Sequence, residues 1–389
     1  MNKSIFRAVA LLVLLAHAGL FAQTPDAFPD MRLHISSGQY TGLLQSKGRK
    51  VTLKNPVLIV QGDTTKVKEI HSRGNNSLTF EHKSLSVDLN HAVKVHIGGK
   101  ATSLKKFDLL NLVMDKNLWH NRWAFLCMQH VSLFPLMQTY SPVWINDQPQ
   151  GIYLLVEKPR HYITTAIKSP YLLRRGIDHA VADEYIETPS KEEAKKYKMQ
   201  FTSLYDDINK LHGQELYDRL NGKINLDHYF KWVAFNYLIM NGDYADELYL
   251  YISPADTRFE VIPWDYDDIL RPVPHEGMAA RNAVEGFRSK YIFSSEDPLD
   301  RAIAADAVLY THYLQSFKDL LTNLDEATIT RFADQVRGEL HTLGAGEQGR
   351  ASLFLGKEPW AEAEAMADMD RSLDFVLKRR NALLKELQK

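Results

Sequence analysis

Cysteine is nearly missing from this chain: Cys127 is the only one in 389 residues. No intramolecular disulfide can form, so the core alone must hold the fold. A chain of this length can bury that much apolar surface, arranged as two lobes. Cys127 sits in the apolar stretch Trp123-Ala124-Phe125-Leu126-Cys127-Met128 and reads as a core residue. An excess of one charge is missing too. The 47 basic residues meet 48 acidic ones, for a formal net charge of −1, with no long block of either sign. That balance predicts no general pull on nucleic acid or on an anionic membrane. There is no Gly-x-Ser-x-Gly elbow and no His-Glu-x-x-His pair, which speaks against the common hydrolase and zinc-protease chemistries. His71, His82, His91 and His96 lie close in sequence but lack paired acids, and read as exposed or core-edge residues. Internal repeats and low-complexity stretches are absent.

Long apolar runs are scarce as well. The one that stands out is Ala8 to Ala16, preceded by Lys3 and Arg7 and followed by Leu20-Phe21-Ala22. This pattern predicts a secretory signal peptide over 1–22 with cleavage after Ala22. The run is too short to span a bilayer comfortably, and no Cys at its end offers a lipidation site. The expectation is an exported chain with a linker over 23–30 and no membrane span in its mature form: periplasmic, cell-surface or extracellular.

Two compositional halves follow. From Met31 to Lys158 short alternating runs dominate, with candidate strands at Met31–Ser36, Lys50–Lys54, Val57–Gln61, Val67–Ser72, Ser84–Asn90, Phe107–Val113, Ser141–Ile145 and Ile152–Glu157. One helix, Asn117–His130, interrupts them. From Pro159 to Lys389 helices dominate: Lys191–His212, Asp227–Met240, Asp300–Leu324, Glu326–Leu343 and Ala361–Gln388. The clear strands in this half are Tyr171–Arg174 and a hairpin between Leu248 and Ile262, turned by Pro254, Asp256 and Thr257. A β-rich lobe over 31–158 followed by a mainly helical lobe over 159–389 is an α+β, two-lobed layout. Clefts between lobes are favoured ligand sites.

The hairpin is flanked by acids. Asp243, Asp246 and Glu247 precede it, and Asp265, Asp267 and Asp268 follow it. A hairpin brings its ends together, so Asp243 and Asp265 are expected to be neighbours. Crowded carboxylates repel unless neutralised, and a hard divalent cation such as Mg²⁺ does so with oxygen ligands. The plainer reading is two solvated acidic loop ends. Pro263, Trp264 and Tyr266 among the acids favour a partly buried site.

Four segments in order resemble the CotH kinase family of secreted or spore-coat proteins. They are Ser72-Arg73-Gly74-Asn75-Asn76-Ser77 with Phe80 to Val87; Pro142 to Lys158, centred on Gly151-Ile152-Tyr153-Leu154-Leu155; Asn241-Gly242-Asp243 to Tyr251; and Ile262-Pro263-Trp264-Asp265-Tyr266-Asp267. The helix around Leu373 to Arg380 is similar to the family's last helix. The resemblance implies a divergent two-lobed protein-kinase-like fold. It implies an exported, metal-dependent kinase that moves phosphoryl from a nucleotide, ATP, to a secreted or cell-surface protein acceptor, with Mg²⁺ or Mn²⁺. In such chemistry the protein supplies positioning and charge neutralisation. By resemblance Asp243 is the catalytic-loop acid, and Asp265 a catalytic and metal-binding acid. Asp267 and Glu247 are further metal contacts, and Lys83 is the phosphate-contacting strand lysine. Arg73 and Glu157 lie near the nucleotide, though Arg73 reads equally as a structural arginine paired with a carboxylate, and Gly74 as a turn residue needing positive φ. The chain departs from the family at two points. Glu247 stands where relatives carry a metal-binding Asn, and the helix from Asn117 to His130 has no acid to pair with Lys83. A catalytically degenerate nucleotide- or metal-binding protein, and a cell-surface interaction protein with a structural cation site, are therefore the competing readings.

Overall fold

The computed structural model describes residues 28–389 apart from 75, 116, 177–178, 187–189, 273, 275–286, 346–353 and 356–357. The expected signal peptide at 1–22 and most of the linker at 23–30 fall outside the described residues. The architecture is mixed α+β, with one large sheet and a helical C-terminal region. The chain forms two compact units. One gathers the residues up to Val113 with Gln138–Val156 and Asp334–Glu362. The other gathers Met114–Met137, Glu157–Ala333 and Ala363–Lys389.

The first unit is built on an eight-stranded sheet. Its strands are β1 (Met31–His34), β2 (Val57–Val60), β3 (Asp63–Thr65), β4 (Val67–Arg73), β5 (Ser84–Ile97), β6 (Lys100–Asn111), β7 (Gln138–Ile145) and β8 (Gln148–Glu157), in the order β3-β2-β1-β7-β8-β6-β5-β4. β1 runs parallel to β7. β7 is buried at every position and β8 from Gln150 to Val156, as expected of central strands. β5 and β6 extend well beyond the expected Ser84–Asn90 and Phe107–Val113. Gly98 and Gly99, both at positive φ, form the two-residue turn that joins them. The added stretch carries His91, Lys94 and His96, so its exposed polar face hides the alternation from a hydropathy reading. The expected strand at Lys50–Lys54 is a single bridge from Thr52 to His71. Helix α1 (Ser37–Leu44), capped by the Ser36 hydroxyl, was not expected, because only Leu43 on it is buried.

The second unit holds helices α2 (His120–His130), α3 (Lys191–Ile208), α4 (Gly213–Asn221), α5 (Leu226–Ile239), α6 (Pro298–Ala305), α7 (Ala307–Asn323) and α9 (Glu362–Leu387); α8 (Glu326–Ala345) begins here. The same unit holds a second sheet of order β10-β9-β11-β12, comprising β9 (Tyr171–Arg175), β10 (Val181–Ile186), β11 (Leu248–Ile252) and β12 (Phe259–Pro263). The helix expected over Asp300–Leu324 is divided in two, whereas the one expected over Lys191–His212 stops at Ile208 and is followed by the unexpected α4. Asp306 ends α6 and caps α7, accepting hydrogen bonds from the backbone N–H groups of Val308 and Leu309. His212 breaks the backbone between α3 and α4 in an extended conformation. β10 was missed because its residues alternate poorly and are largely exposed, as edge strands often are. Cys127 lies in the core of α2, at 1% exposure. No described helix is long and apolar enough to cross a membrane.

Candidate functional site

The acidic hairpin lies in the second unit, and α5 delivers the chain to it. Eleven of the 14 residues of α5 are buried, so the helix is fixed on all sides. It stops at Met240, which adopts the left-handed conformation (φ 52). Asn241 then braces the turn: its Nδ2 donates to Asn236 Oδ1 (3.1 Å) and its Oδ1 accepts the Asp243 backbone N–H (3.1 Å). Gly242 has a steric reason to be glycine, since a Cβ there would lie 2.5 Å from Asp268 Oδ2. Its N–H donates to the Asp268 carbonyl (2.9 Å), which ties the two acidic segments together at the backbone.

The hairpin completes the arrangement. Leu248 pairs with Pro263 at its open end, and Trp264 N–H donates to the Glu247 carbonyl (3.0 Å). Asp265 follows at φ 53, a left-handed conformation uncommon for a non-glycine residue and one that recurs at functional sites. The next residues are held from α2. Asn121 Oδ1 accepts the Tyr266 N–H (2.7 Å), and His120 Nδ1 donates to the Asp267 carbonyl (3.2 Å), which places the ring proton on that nitrogen. Asp115 in turn steadies the start of α2, its Oδ2 accepting the Asn121 N–H (3.1 Å). Tyr266 is fully buried between Phe125 and Phe235.

These acids feel one another. Burial, then Asp265, Asp115, Asp268 and Glu247, pushes the Asp267 carboxyl up to about 9. Burial and Asp265 push Glu247 well above the carboxylate range, with Asp246 and Asp243 adding and Arg174 opposing. Glu247 is not the uncompensated acid that its sequence position implied. Arg174 on β9 reaches it at 2.6 Å, a partner that sequence reasoning missed. The available signal was the pair of adjacent arginines on a short strand, but nothing local told which acid either would meet. Arg271 pairs with Asp268 (3.2 Å). The carboxylates crowd without converging: among the described residues no three His, Cys, Asp or Glu side chains are arranged to hold a metal ion.

Of the other expected site residues, Glu157 opens a segment of this same unit, where the chain enters it from β8. Burial raises its carboxyl above the usual range. Lys83 and Arg73 belong to the first unit. The Lys83 ammonium is buried, with burial lowering its proton affinity, and donates to the carbonyls of Leu78 (2.8 Å) and Phe80. Arg73 pairs with Asp108 (3.3 Å), the structural role open to it from sequence. Gly74 sits at φ +103 with its Cβ position occupied by Ser77.

A family model described as CotH kinase protein matches residues 70–383. No curated protein sequence matches the chain. Among solved structures, the chain is similar to the Helicobacter pylori proinflammatory kinase CtkA, with 11% identity and a TM-score of 0.32 over 75% of this chain and 94% of that one. It is also similar to a chain of the Shewanella oneidensis MR-1 toxin–antitoxin complex of HipA, HipB and operator DNA, with 12% identity and a TM-score of 0.28 over 72% of this chain and 62% of that one. Both TM-scores lie below 0.5, too low to establish a shared fold.

Proposed function

The chain belongs to the CotH kinase protein family, and from that premise we propose that it is an exported, metal-dependent, kinase-like phosphotransferase. It takes phosphoryl from a nucleotide, ATP, to a hydroxyl of a secreted or cell-surface protein. The proposed frame is two-lobed, with a β-rich lobe over 31–158 and a helical lobe over 159–389. The observation that carries the reading is the crowding of six carboxylates at the open end of one hairpin, with Asp267 pushed up to about 9. Acids crowded this closely are the environment that a divalent cation relieves. The donors are hard oxygens throughout, with Glu247 Oε2 buried and without a hydrogen-bond partner, and an ion would have to draw together side chains that do not converge as they stand. When bound, Mg²⁺ or Mn²⁺ would neutralise phosphate charge.

The remaining roles fall to the chain itself. Asp265 and Asp267, with Glu247 beside them, are the residues that would hold the ion. Asp243, exposed on the loop after α5, orients the acceptor hydroxyl and takes its proton. Gly242 and the Asn241 amide fix the backbone from which Asp243 projects. Glu157 faces the nucleotide. Two contacts favour a second reading, a degenerate member that binds nucleotide or metal without transfer. Arg174 engages Glu247, and two carbonyls take up donors of Lys83. Incubating the protein with γ-labelled ATP and Mg²⁺ or Mn²⁺, alone and with secreted proteins of the source cell, separates the two. Transfer that Asp243→Asn abolishes, with nucleotide binding retained, is the expected result. Nucleotide binding without transfer under either metal would replace the enzyme reading by the second one.

A further inference from the structure

The loop that carries Asp243 is held on its inner side by buried residues. Asp243 is exposed, whereas the next residue, Tyr244, is only 1% exposed. Consecutive side chains thus leave this loop in different directions, one to solvent and one to the core. The Tyr244 ring packs edge-on against Trp232 of α5, with centroids 5.3 Å apart. Beyond it the hydroxyl donates to Asp300 Oδ2 (3.3 Å) and accepts the Ser294 N–H (3.3 Å). Asp300 is fully buried, where a hydrogen bond is electrostatically stronger than in water. The following peptide is held as well. β9 pairs with β11 so that Arg175 faces Leu248. From there its Nε–H reaches back to the Ala245 carbonyl (2.8 Å). The Glu247 N–H closes the turn on the Tyr244 carbonyl (3.2 Å).

These bonds act just past the point where the Asn241 and Gly242 contacts end. Those two fix the chain as far as the Asp243 N–H. The direction of Asp243 then depends on the peptide that follows it, and so on where the Tyr244 side chain is anchored. A ring without its hydroxyl still fills the space beside Trp232 but loses both polar contacts. We propose that Tyr244 is a positioning residue for Asp243, holding the loop through Asp300 and Ser294 so that the Asp243 carboxylate meets the acceptor hydroxyl in one place. The proposal rests on the phosphotransferase reading above and adds the residue that orients its proton acceptor. A misplacement of about 1 Å at a reacting group can lower a rate by about a hundredfold.

The test compares Tyr244→Phe with Tyr205→Phe, each lacking one hydroxyl that donates to the buried carboxylates. Tyr205 donates to Asp297 from α3 and is not part of the loop. Both proteins are assayed for label transfer from γ-labelled ATP, under the conditions above, at varied ATP concentration. Hydrogen–deuterium exchange over 243–247 is measured alongside and needs no turnover. Tyr244→Phe is expected to lower the rate at saturating ATP by at least about tenfold, to leave half-saturation by ATP unchanged, and to speed exchange over 243–247. Tyr205→Phe is expected to match wild type in all three, although it too loses a buried hydrogen bond. An unchanged rate in Tyr244→Phe would overturn the proposal, as would an equal loss in Tyr205→Phe or a loss confined to ATP affinity. No transfer by wild type would overturn the phosphotransferase reading itself. Equal exchange over 243–247 in wild type and Tyr244→Phe would then show that Tyr244 does not hold the loop either.

Discussion

Asp297 and Asp300 lie deeper than any acid of the hairpin, at 4% and 0% exposure, yet they are better provided for. Arg175 Nη1 stands 3.3 Å from Asp297 and also donates to the Tyr229 hydroxyl (2.7 Å). Tyr229 and Tyr244 donate to the two oxygens of Asp300 (2.8 and 3.3 Å), and Tyr205 donates to Asp297 (3.2 Å). Asp297 also caps α6 through the Leu299 N–H (2.8 Å). Burial and Asp297 push Asp300 up only to about 7, because Arg175 and the two tyrosines oppose them. Asp267 is less buried and is pushed to about 9. One strand serves both groups. Arg174 and Arg175 are adjacent on β9, so their side chains leave on opposite faces. One arginine meets the hairpin acids and the other meets the buried pair. A buried charge that is paired and hydrogen-bonded does structural work, whereas crowded acids that raise one another's proton affinity are where a functional site is sought. The buried pair also reaches the hairpin loop, for Arg175 Nε donates to the Ala245 carbonyl (2.8 Å), between Asp243 and Glu247.

The sharpest way to break this contrast is to remove each arginine. Arg175→Leu leaves two carboxylates buried with one proton between them, and is expected to destabilise by about 3–5 kcal/mol. Arg174→Ala, at a pair whose side chains keep 22% and 14% exposure, is expected to cost less. Urea melts monitored by circular dichroism check both, and equal losses would erase the distinction.

Titration separates the two groups next. Folding favours the protonated form of both Asp300 and Asp267, since each folded value lies above the ordinary aspartate value of 3.8. Their contributions are therefore full below that value and fall as pH rises, Asp300's by pH about 7 and Asp267's only by about 9. In chelator, stability is expected to keep declining between pH 7 and 9. Asp267→Asn should flatten that upper window and Asp300→Asn the lower one. A decline above pH 7 that survives Asp267→Asn would assign the shift to the wrong acid.

A smaller effect is expected from Tyr244→Phe. It removes one hydroxyl from Asp300 while Tyr229 keeps the other, for a loss of about 0.5–1.5 kcal/mol. Chemical denaturation measures it. A loss matching that of Arg175→Leu would mean that the tyrosines, rather than the guanidinium, carry the buried pair.

Much of this was legible in the chain before folding. The hairpin, the acids at both its ends, the apolar helix α5 and the turn at Gly74 follow from alternation, composition and turn chemistry within a few residues of one another. The helix expected over Asp300–Leu324 was right in type and wrong in continuity. A hydropathy pattern runs on through Asp306, and only the capping bonds of its side chain reveal the break. Arg73 was left between two roles, and its contact with Asp108 on β6, 35 residues away, is the carboxylate pairing that the structural one requires.

The sequence by itself determined the family, the mixed α+β composition, and the identity of the acids that gather at the hairpin, because each is written in neighbouring residues or in motifs kept in order. The tertiary structure alone decided how those acids are compensated. Arg174 lies 73 residues from Glu247, and Arg175 lies 122 from Asp297. Local sequence carries the sign and number of charges, but which charge neutralises which depends on distances that exist only after the strands pair and the helices pack.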